Sequence, residues 1–346
     1  MQKRLVGVAL AAAFGTMVYA QGGFAGWREI SIAGLVCSDG SPWKFYATRG
    51  DTQKVVVDFQ GGGACWDSVS CDPKNGLYNR TLNKGDVDYA QGIYNKGSNA
   101  NPFKGWSHVY VPYCTGDLHW GNSEQKYTSG TIQHKGAANA QAALEYTYKN
   151  FPFAQNVFVT GCSAGSYGAA MWTPHIMKHY KKARVALLGD SGLGITSQGF
   201  SDIATKAWNP SGAIPDFIPE LAALKSEPSK LRVEAIYKAV AKAFPNNSFA
   251  QFTANTDNVQ IFFHALALGL AQPTQASATQ WVQQAFGSLL GIKAVTPNYA
   301  NYVAPGGGHC IIGSPNFYTT KVGDKPLVNW VKELISTTPA DVIARP

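Results

Sequence analysis

Two kinds of segment alternate along most of the chain. Short β-branched and aromatic runs, typical of buried strands, occupy 55–59, 108–111, 156–160, 185–188, 249–254 and 298–303. Alanine-rich or periodic apolar runs, typical of helices, occupy 136–150, 166–182, about 258–270, 277–290 and 326–336. Such alternation is typical of parallel strands joined by crossover helices, which cover both faces of the sheet. The pattern therefore predicts an α/β fold with a mostly parallel central sheet and helices on both faces.

One region departs from this alternation. Residues 200–250 have little strand character, and they include Pro210, Pro215, Pro219 and a lysine-bearing helical stretch near 228–243. We predict a helical insertion over the sheet at about 200–250. Since no internal repeat, low-complexity tract or linker divides the remainder, we predict a single domain over 21–346.

Residues 1–20 have the pattern of a secretory signal peptide. Lys3 and Arg4 precede an apolar run from Leu5 to Phe14, and small residues at Val18 and Ala20 suit cleavage after Ala20. The run is shorter than the ~20 residues that a membrane span needs. We therefore predict a secreted or periplasmic protein without a membrane span.

Composition fits a globular exported protein. The chain of 346 residues is 45% apolar, 14% charged and carries a formal net charge of +8. Loss of Lys3 and Arg4 with the signal peptide would leave +6. This charge weakly favours an anionic polymer or surface as partner, and a soluble secreted protein with spare surface lysines is the preferred explanation.

The cysteines suggest disulfides. The chain has six, Cys37, Cys65, Cys71, Cys114, Cys162 and Cys310. An even number in an oxidising compartment suggests three bonds, although spacing alone cannot choose among about 15 pairings. A zinc site would need paired ligands at set spacing, and we interpret His175 and His179 as ordinary packing or surface residues.

The strongest chemical motif is Gly161-Cys162-Ser163-Ala164-Gly165. It matches Gly-x-Ser-x-Gly between a predicted strand and a predicted helix, which is the context of a nucleophile elbow. In that turn the serine hydroxyl is lifted from the backbone beside the helix N-terminus. The motif predicts Ser163 as a nucleophile.

A serine nucleophile needs a general base, usually histidine, and α/β hydrolases order these residues as Ser, acid, His. Of the downstream histidines, His309 follows a glycine run after the last strand, whereas His264 lies within an apolar helix. Asp257 and Asp190 are the candidate acids. Asp257 follows the penultimate strand, the commoner place, and Asp190 could instead hold its loop through backbone N–H groups. We predict the triad Ser163, Asp257 and His309.

The glycine run Gln60–Cys65 suggests an oxyanion hole. It lacks the phosphate-loop and dinucleotide-binding patterns. In α/β hydrolases such a run after the third strand supplies oxyanion N–H groups. We predict Gly62, Gly63 and Ala164 as donors, each typically contributing about 3 kcal/mol to barrier lowering.

Two cysteines flank the predicted triad. Cys162 precedes Ser163, and Cys310 follows His309. A bond between them would hold the base beside the nucleophile, whereas the alternative is two free thiols. This Cys-Ser, Asp, His-Cys arrangement resembles that of tannase and feruloyl-esterase enzymes.

Together these residues resemble the pectin acetylesterase and Notum family of α/β-hydrolase carboxylesterases. The likeness runs in order through Cys37–Pro42, GGGACWDSVSC, Pro112–Asp117, Gly136–Asn139, GCSAGS and Gly189–Gly192. The resemblance implies that Cys65 and Cys71 form a short-loop disulfide. Asp257-x-x-Gln260 is similar to the sequence that holds the family's acid, so the resemblance also favours Asp257.

The resemblance implies hydrolysis of a small acyl group, foremost acetyl, from a polysaccharide such as pectin. Trp120, Trp172 and Trp208 could stack on sugar rings. A broader carboxylesterase acting on aryl, lipid or polyester esters, and a non-catalytic carbohydrate-binding relative, are the alternatives. The predicted reaction needs no metal or cofactor, and we expect no nucleic-acid partner.

Overall fold

A computed structural model of the chain describes residues 18–20, 26–82 and 91–344. The strands are β1 (Val18–Ala20), β2 (Arg28–Val36), β3 (Pro42–Thr48), β4 (Asp51–Phe59), β5 (Trp106–Val111), β6 (Ser123–Tyr127), β7 (Gly130–His134), β8 (Asn156–Cys162), β9 (Arg184–Asp190), β10 (Ser248–Ala254), β11 (Tyr299–Ala304), β12 (Lys321–Val322), β13 (Lys325–Pro326) and β14 (Val342–Ile343). The α-helices are α1 (Gly136–Asn150), α2 (Ala164–His179), α3 (Gln198–Trp208), α4 (Pro219–Ala222), α5 (Val233–Ala243), α6 (Asn258–Ala267), α7 (Gln275–Lys293) and α8 (Leu327–Ser336). The predicted signal peptide lies outside these residues except for β1.

The strands form one large mixed sheet, in the order β1-β2-β3-β5-β4-β8-β9-β10-β11-β14. Every neighbouring pair from β5 to β14 is parallel. By contrast, β1, β2 and β3 form an antiparallel edge that joins β5. The predicted α/β class with a mostly parallel sheet is therefore confirmed, and the antiparallel edge is an addition that the sequence pattern did not predict.

Both faces of the sheet are covered, which explains why the central strands are apolar throughout. In β4, Val55 and Val57 belong to one core cluster, whereas Val56 belongs to the other. Successive strand residues point to opposite faces, so the two clusters lie on the two sides of the sheet. Residues of α1, α2, α5 and α7 pack in the first cluster and residues of α8 in the second.

Helices fill the chain between β9 and β10. The sequence predicted a helical insertion at about 200–250, and the structure has α3, α4 and α5 before β10 begins at Ser248. Among the described helices, none combines the length and apolar character that crossing a membrane requires.

All six cysteines are paired. The disulfides are Cys37–Cys114, Cys65–Cys71 and Cys162–Cys310. The predicted number of three is confirmed. The first bond ties the start of the β2–β3 turn to the loop after β5, and the third ties the end of β8 to the loop after β11.

Candidate active site

The residues predicted to act together gather at one edge of the sheet. Parallel strands end at the same edge, and the loops that follow β4, β8, β9, β10 and β11 carry Gly62, Ser163, Ser191, Asp257 and His309. Ligand sites of open parallel sheets lie beyond this carboxyl edge. The topology thus brings distant stretches of sequence to one place.

Ser163 occupies a strained turn between β8 and α2. Its backbone angles are φ 54° and ψ −122°, in a region that non-glycine residues rarely adopt. The Ser163 N–H donates to the Asp190 carbonyl at 2.8 Å, and the Ser163 carbonyl accepts from the Ser166 N–H at 2.9 Å. These bonds fix the turn from both sides and leave the side chain at the start of α2.

The two glycines of the motif permit this turn by close packing. A Cβ atom on Gly161 would lie 2.3 Å from the Gly165 carbonyl oxygen. A Cβ atom on Gly165 would lie 1.8 Å from the Phe59 carbonyl oxygen. Because no side chain fits at either position, the Gly-x-Ser-x-Gly pattern here reflects contact between β4, β8 and α2.

The partly buried His309 pairs with the fully buried Asp257. His309 Nδ1 lies 2.9 Å from both carboxylate oxygens of Asp257. Asp257 also caps α6, accepting the Val259 and Gln260 N–H groups at 3.0 Å, and its Oδ2 accepts from Gln260 Nε2 at 3.0 Å. A carboxylate held by this many donors keeps Nδ1 protonated and the imidazole oriented, so Nε2 is left as the basic nitrogen.

Ser163 and His309 lie beside the same open space without a bond between them. Both residues line two adjoining cavities. His309 Nε2 has no hydrogen-bond partner within the described part of the chain. Catalytic hydrogen bonds are often long in enzymes without substrate and tighten when substrate binds, so this geometry is compatible with a base next to its nucleophile.

Asp190, the other candidate acid, holds a different part of the site. Its Oδ2 accepts from the N–H groups of Ile311 and Ile312 at 2.7 and 2.9 Å. Ser191 Oγ donates to Asp190 Oδ1 and accepts from the Cys310 N–H. Burial raises the pKa of Asp190 to about 6, and the bonds from these N–H groups act in the opposite direction. Asp190 therefore anchors the segment directly after His309.

The Cys162–Cys310 disulfide adds a covalent anchor at the same place. Its two cysteines are the immediate neighbours of Ser163 and His309 and lie 148 positions apart in sequence. A bond of this kind limits how far the His309 loop can move from the turn at Ser163. The loop is thus held by one covalent bond and by the backbone bonds to Asp190.

The glycine loop after β4 lies next to Ser163. The carbonyl of Gly62 accepts from the Asn79 N–H, and the Ala64 N–H donates to Leu77. Neither of these bonds uses the N–H of Gly62 or Gly63. A Cβ atom on Gly63 would lie 1.9 Å from the Leu77 carbonyl oxygen, and the φ of Gly63 is 76°, so glycine is required. Ala164 is the first residue of α2, where N–H groups have no partner within the helix.

His119 supports this loop, a role that no sequence motif indicates. His119 Nε2 donates to the Gln60 carbonyl at 2.9 Å. The Gln60 side chain in turn accepts from the Tyr113 N–H. Burial lowers the pKa of His119 to about 4, so the imidazole is neutral at pH 7. His119 precedes Ser163 in sequence, so the Ser-acid-His order excludes it as the general base.

Two cavities of different character meet at Ser163 and His309. The first, which we call the aromatic cavity, has about 950 Å³ of empty space, including some open to solvent. Its aromatic lining comprises Trp66, Trp120, Tyr167, Phe200, Trp208, Phe263 and Trp281. The second, which we call the open groove, has about 1090 Å³ on the same measure and is lined by Asp58, Tyr94, Tyr110 and the glycine loop. A substrate with two dissimilar parts could therefore extend to both sides of Ser163.

Of the three tryptophans considered for sugar stacking, Trp120 and Trp208 line the aromatic cavity. Trp172 is not among the lining residues of either cavity. It packs in the core, where its indole N–H donates to the His119 carbonyl at 2.9 Å. His175 and His179 also serve packing. His175 Nε2 bonds to the Ala213 carbonyl, and His179 stacks on Tyr148.

Comparison with known proteins shows which family the chain resembles. A family model described as Pectinacetylesterase matches residues 28–257. The matched stretch includes Gly62, Gly63, Ser163, Ala164 and Asp257, and it ends before His309.

Curated relatives match over part of their length. Pectin acetylesterase 7 of Arabidopsis thaliana is 31% identical over 144 residues, which is 40% of this chain and 37% of that protein. Pectin acetylesterase 11 of the same plant is 28% identical over 174 residues, 48% of this chain and 44% of that protein. Palmitoleoyl-protein carboxylesterase NOTUM of Schmidtea mediterranea is 24% identical over 155 residues, 42% of this chain and 29% of that protein. Each match spans less than half of the relative.

A solved structure extends the likeness to most of the fold. The Wnt deacylase Notum from Drosophila superposes with a TM-score of 0.64 at 20% sequence identity, covering 88% of this chain and 92% of that one. At this identity the superposition supports a common fold.

Proposed function

Because the chain belongs to the pectinacetylesterase family, we propose that it is a secreted serine esterase that hydrolyses acyl esters through Ser163, His309 and Asp257. The observation that carries this proposal is the bond between His309 Nδ1 and buried Asp257, with His309 Nε2 unpartnered at the cavities that Ser163 lines. The arrangement fits several reactions of a serine nucleophile, and family membership favours ester hydrolysis among them.

In the proposed reaction, Ser163 Oγ attacks the ester carbonyl while His309 Nε2 takes its proton. Asp257 orients the imidazole and stabilises its charged form. The N–H groups of Gly62, Gly63 and Ala164 stabilise the oxyanion. His309 then gives the proton to the departing alkoxide, and the alcohol leaves. Water, activated by the same imidazole, hydrolyses the acyl-enzyme and regenerates the free serine.

The first candidate substrate is an acetyl ester of a polysaccharide such as pectin. It is supported by the family model and by the two pectin acetylesterases among the relatives. The open groove reaches Ser163, and the partly buried Tyr94 in its lining offers an aromatic surface for a sugar ring.

A second candidate is an ester with a larger apolar acyl group. The aromatic cavity favours it, since an acetyl group needs little of a space lined by four tryptophans and three other aromatic residues. One relative is named a palmitoleoyl-protein carboxylesterase, which is compatible with apolar acyl groups in this family.

We also propose export and a single catalytic domain over 21–346 that includes the insertion at about 200–250. The three disulfides support an oxidising compartment, because such bonds form and persist there. N-terminal sequencing of the protein recovered outside the cytoplasm would test the predicted cleavage after Ala20.

The activity is tested by hydrolysis of p-nitrophenyl acetate by wild type, Ser163→Ala and the surface control Ser336→Ala. We expect Ser163→Ala to lose activity by several orders of magnitude and Ser336→Ala to retain it. Equal activity in all three would overturn the proposed nucleophile. No activity in any of them would favour a non-catalytic carbohydrate-binding protein.

The substrate is tested by comparing acetate release from acetylated pectin and acetylated xylan with hydrolysis of short-chain and long-chain aryl esters. A clear preference for pectin supports the first candidate. A kcat/KM that rises with acyl length supports the second. Similar rates on all of them would indicate a broad carboxylesterase.

A further inference from the structure

His264, a residue that lines the aromatic cavity, has one ring nitrogen without a partner. His264 lies on α6, is 2% exposed and lines this cavity. Its Nδ1 bonds to the Ile195 carbonyl at 3.1 Å, and its Nε2 has no hydrogen-bond partner in the described residues. A group that bonds to such a nitrogen relieves the cost of leaving it unsatisfied and so gains affinity.

The chemistry of this nitrogen is set by the bond on the other side of the ring. Because a carbonyl oxygen can only accept, His264 Nδ1 carries the hydrogen. In the neutral imidazole, Nε2 is then an acceptor. The partner it lacks is therefore a hydrogen-bond donor.

Several other polar side chains of the cavity have partners. Gln260 accepts from the Leu193 N–H and donates to Thr253 and Asp257. Arg232 donates to the Ser229 and Leu231 carbonyls and to Gln198. Thr205 and Ser201 donate to helix carbonyls. Among the described residues that line this cavity, His264 Nε2 and His309 Nε2 are the buried side-chain polar atoms without a partner, and His264 has no role in the proposed triad.

We propose that the aromatic cavity selects an acyl group that is apolar along its length but carries a hydroxyl, which donates to His264 Nε2. This inference rests on the proposed esterase function and on the second candidate substrate. It names His264 as a specificity-determining residue and hydroxyacyl esters as the substrate class.

The position of His264 along α6 sets where the hydroxyl must be. Asp257 caps the start of this helix beside His309, and His264 lies seven residues further on. At a rise of about 1.5 Å per residue, this is roughly 10 Å along the helix axis. The hydroxyl must therefore lie several carbons away from the reacting carbonyl, and an acyl group with its hydroxyl next to the carbonyl would not reach.

The test uses matched pairs of p-nitrophenyl esters. Straight-chain acyl esters from butanoyl to dodecanoyl are compared with their ω-hydroxy counterparts, and the readout is the ratio of kcat/KM for the hydroxy ester to that for the plain ester. In wild type we expect this ratio to pass through a maximum at one chain length, about tenfold above its value for the shortest pair.

The residue is tested with two substitutions. His264→Asn keeps a donor near the position of Nδ1 but lacks Nε2, and we expect it to abolish the maximum. Phe263→Leu alters the same cavity without touching the acceptor, and we expect it to keep the maximum. Because each ratio compares two esters on one protein, it is insensitive to changes in folded fraction.

The outcomes separate this inference from the proposed function. A flat ratio across chain lengths in wild type, or a maximum that persists in His264→Asn, overturns the role of His264 while leaving the esterase intact. Absence of hydrolysis of every ester overturns both. The flat wild-type ratio is also the result expected if His264 Nε2 binds a buried water instead of substrate.

Discussion

Single residues decide the chemistry of this site, and two buried aspartates illustrate how. Asp257 and Asp190 are both fully buried at the ends of neighbouring parallel strands. One carboxylate meets the imidazole of His309, and the other meets backbone N–H groups of the loop that carries it. The same residue type therefore orients an imidazole in one place and anchors a loop in the other.

Replacement of Asp257 by Asn should lower kcat by about three to four orders of magnitude with a smaller change in KM. The reason is that an amide no longer selects the Nδ1-protonated form of His309. Steady-state kinetics on p-nitrophenyl acetate measures this. Asp190→Asn provides the comparison, because it perturbs the loop and not the imidazole. A larger loss of kcat in Asp190→Asn than in Asp257→Asn would contradict the proposed acid.

Among single residues, the sequence predicts those whose role is recognisable from their immediate neighbours in the chain. Ser163 is recognisable from the residues on either side, and His309 from the glycine run before it. His119 and His264 are not recognisable, since their roles depend on Gln60 and Ile195, which are distant in sequence. Only the three-dimensional structure reveals which nitrogen of each ring is already bonded.

The elements β4, β8 and α2 are in close contact where β8 turns into α2. The turn works because β4, β8 and the first turn of α2 approach without side chains between them at Gly161 and Gly165. The resulting rigidity fixes Ser163 relative to the glycine loop after β4.

Gly165→Ala should strongly destabilise the protein or abolish its activity. The added methyl group would overlap the Phe59 carbonyl, and backbone atoms of a central strand cannot move aside easily. Gly287→Ala in α7 is the matched control, because no atom lies within 4 Å of its added Cβ. We expect that control to gain about 0.5–1 kcal/mol from helix propensity. Thermal unfolding of both variants measures the difference, and equal unfolding temperatures would contradict the packing argument.

Loss of the Cys162–Cys310 disulfide should destabilise the protein more than loss of the Cys65–Cys71 disulfide. Loss of a cross-link that spans 148 residues costs about 5 kcal/mol on a chain-entropy estimate, against about 2 kcal/mol for the link between Cys65 and Cys71, which spans 6. Replacing Cys162 and Cys310 together by alanine should also lower kcat, because the loop of His309 becomes freer. Urea unfolding and ester hydrolysis of both double variants test this. Unchanged kcat after loss of Cys162–Cys310 would show that Asp190 alone holds the loop.

Helices and strands were predictable from the sequence where the hydrophobic residues follow a clear helical or strand pattern. The helix predicted at 136–150 is α1 with the same bounds, and the predicted strand at 249–254 is β10 less one residue. By contrast, β2 and β3 were missed. Much of β2 lies at intermediate or high exposure, and its Gly34 adopts a φ of 86°, so it lacks the continuous apolar run of the central strands.

Across the whole molecule, buried histidines and carboxyl groups set opposite pH dependences of stability. Burial lowers the pKa of His119 and of His134 to about 4, and it raises the pKa of Asp117 and of Asp190 to about 6. Each histidine contributes stability that is lost as the pH falls from about 6.5 towards 4, since the unfolded state binds the proton first. Each raised carboxyl does the reverse, because its contribution to stability falls as the pH rises through about 6.

Each of the two effects can be isolated with its own variant. His134→Gln removes a buried histidine, so the free energy of unfolding of wild type relative to the variant should fall when the pH is lowered from 7.5 to 5. Urea unfolding at these two pH values measures the change. A difference between the proteins that is constant with pH would contradict neutral burial of His134. Asp190→Asn should show the opposite sign over the same interval.

The bond between Cys162 and Cys310 also has a consequence for biogenesis. A ribosome releases the segment with Cys162 long before Cys310 is made, and by then Cys37, Cys65, Cys71 and Cys114 have all emerged. A polypeptide exported before Cys310 is made would hold five thiols, an odd number, so one of them must wait or pair wrongly until the last arrives. Under the proposed export, maturation should therefore wait for Cys310, and the yield should depend on a disulfide isomerase in the receiving compartment.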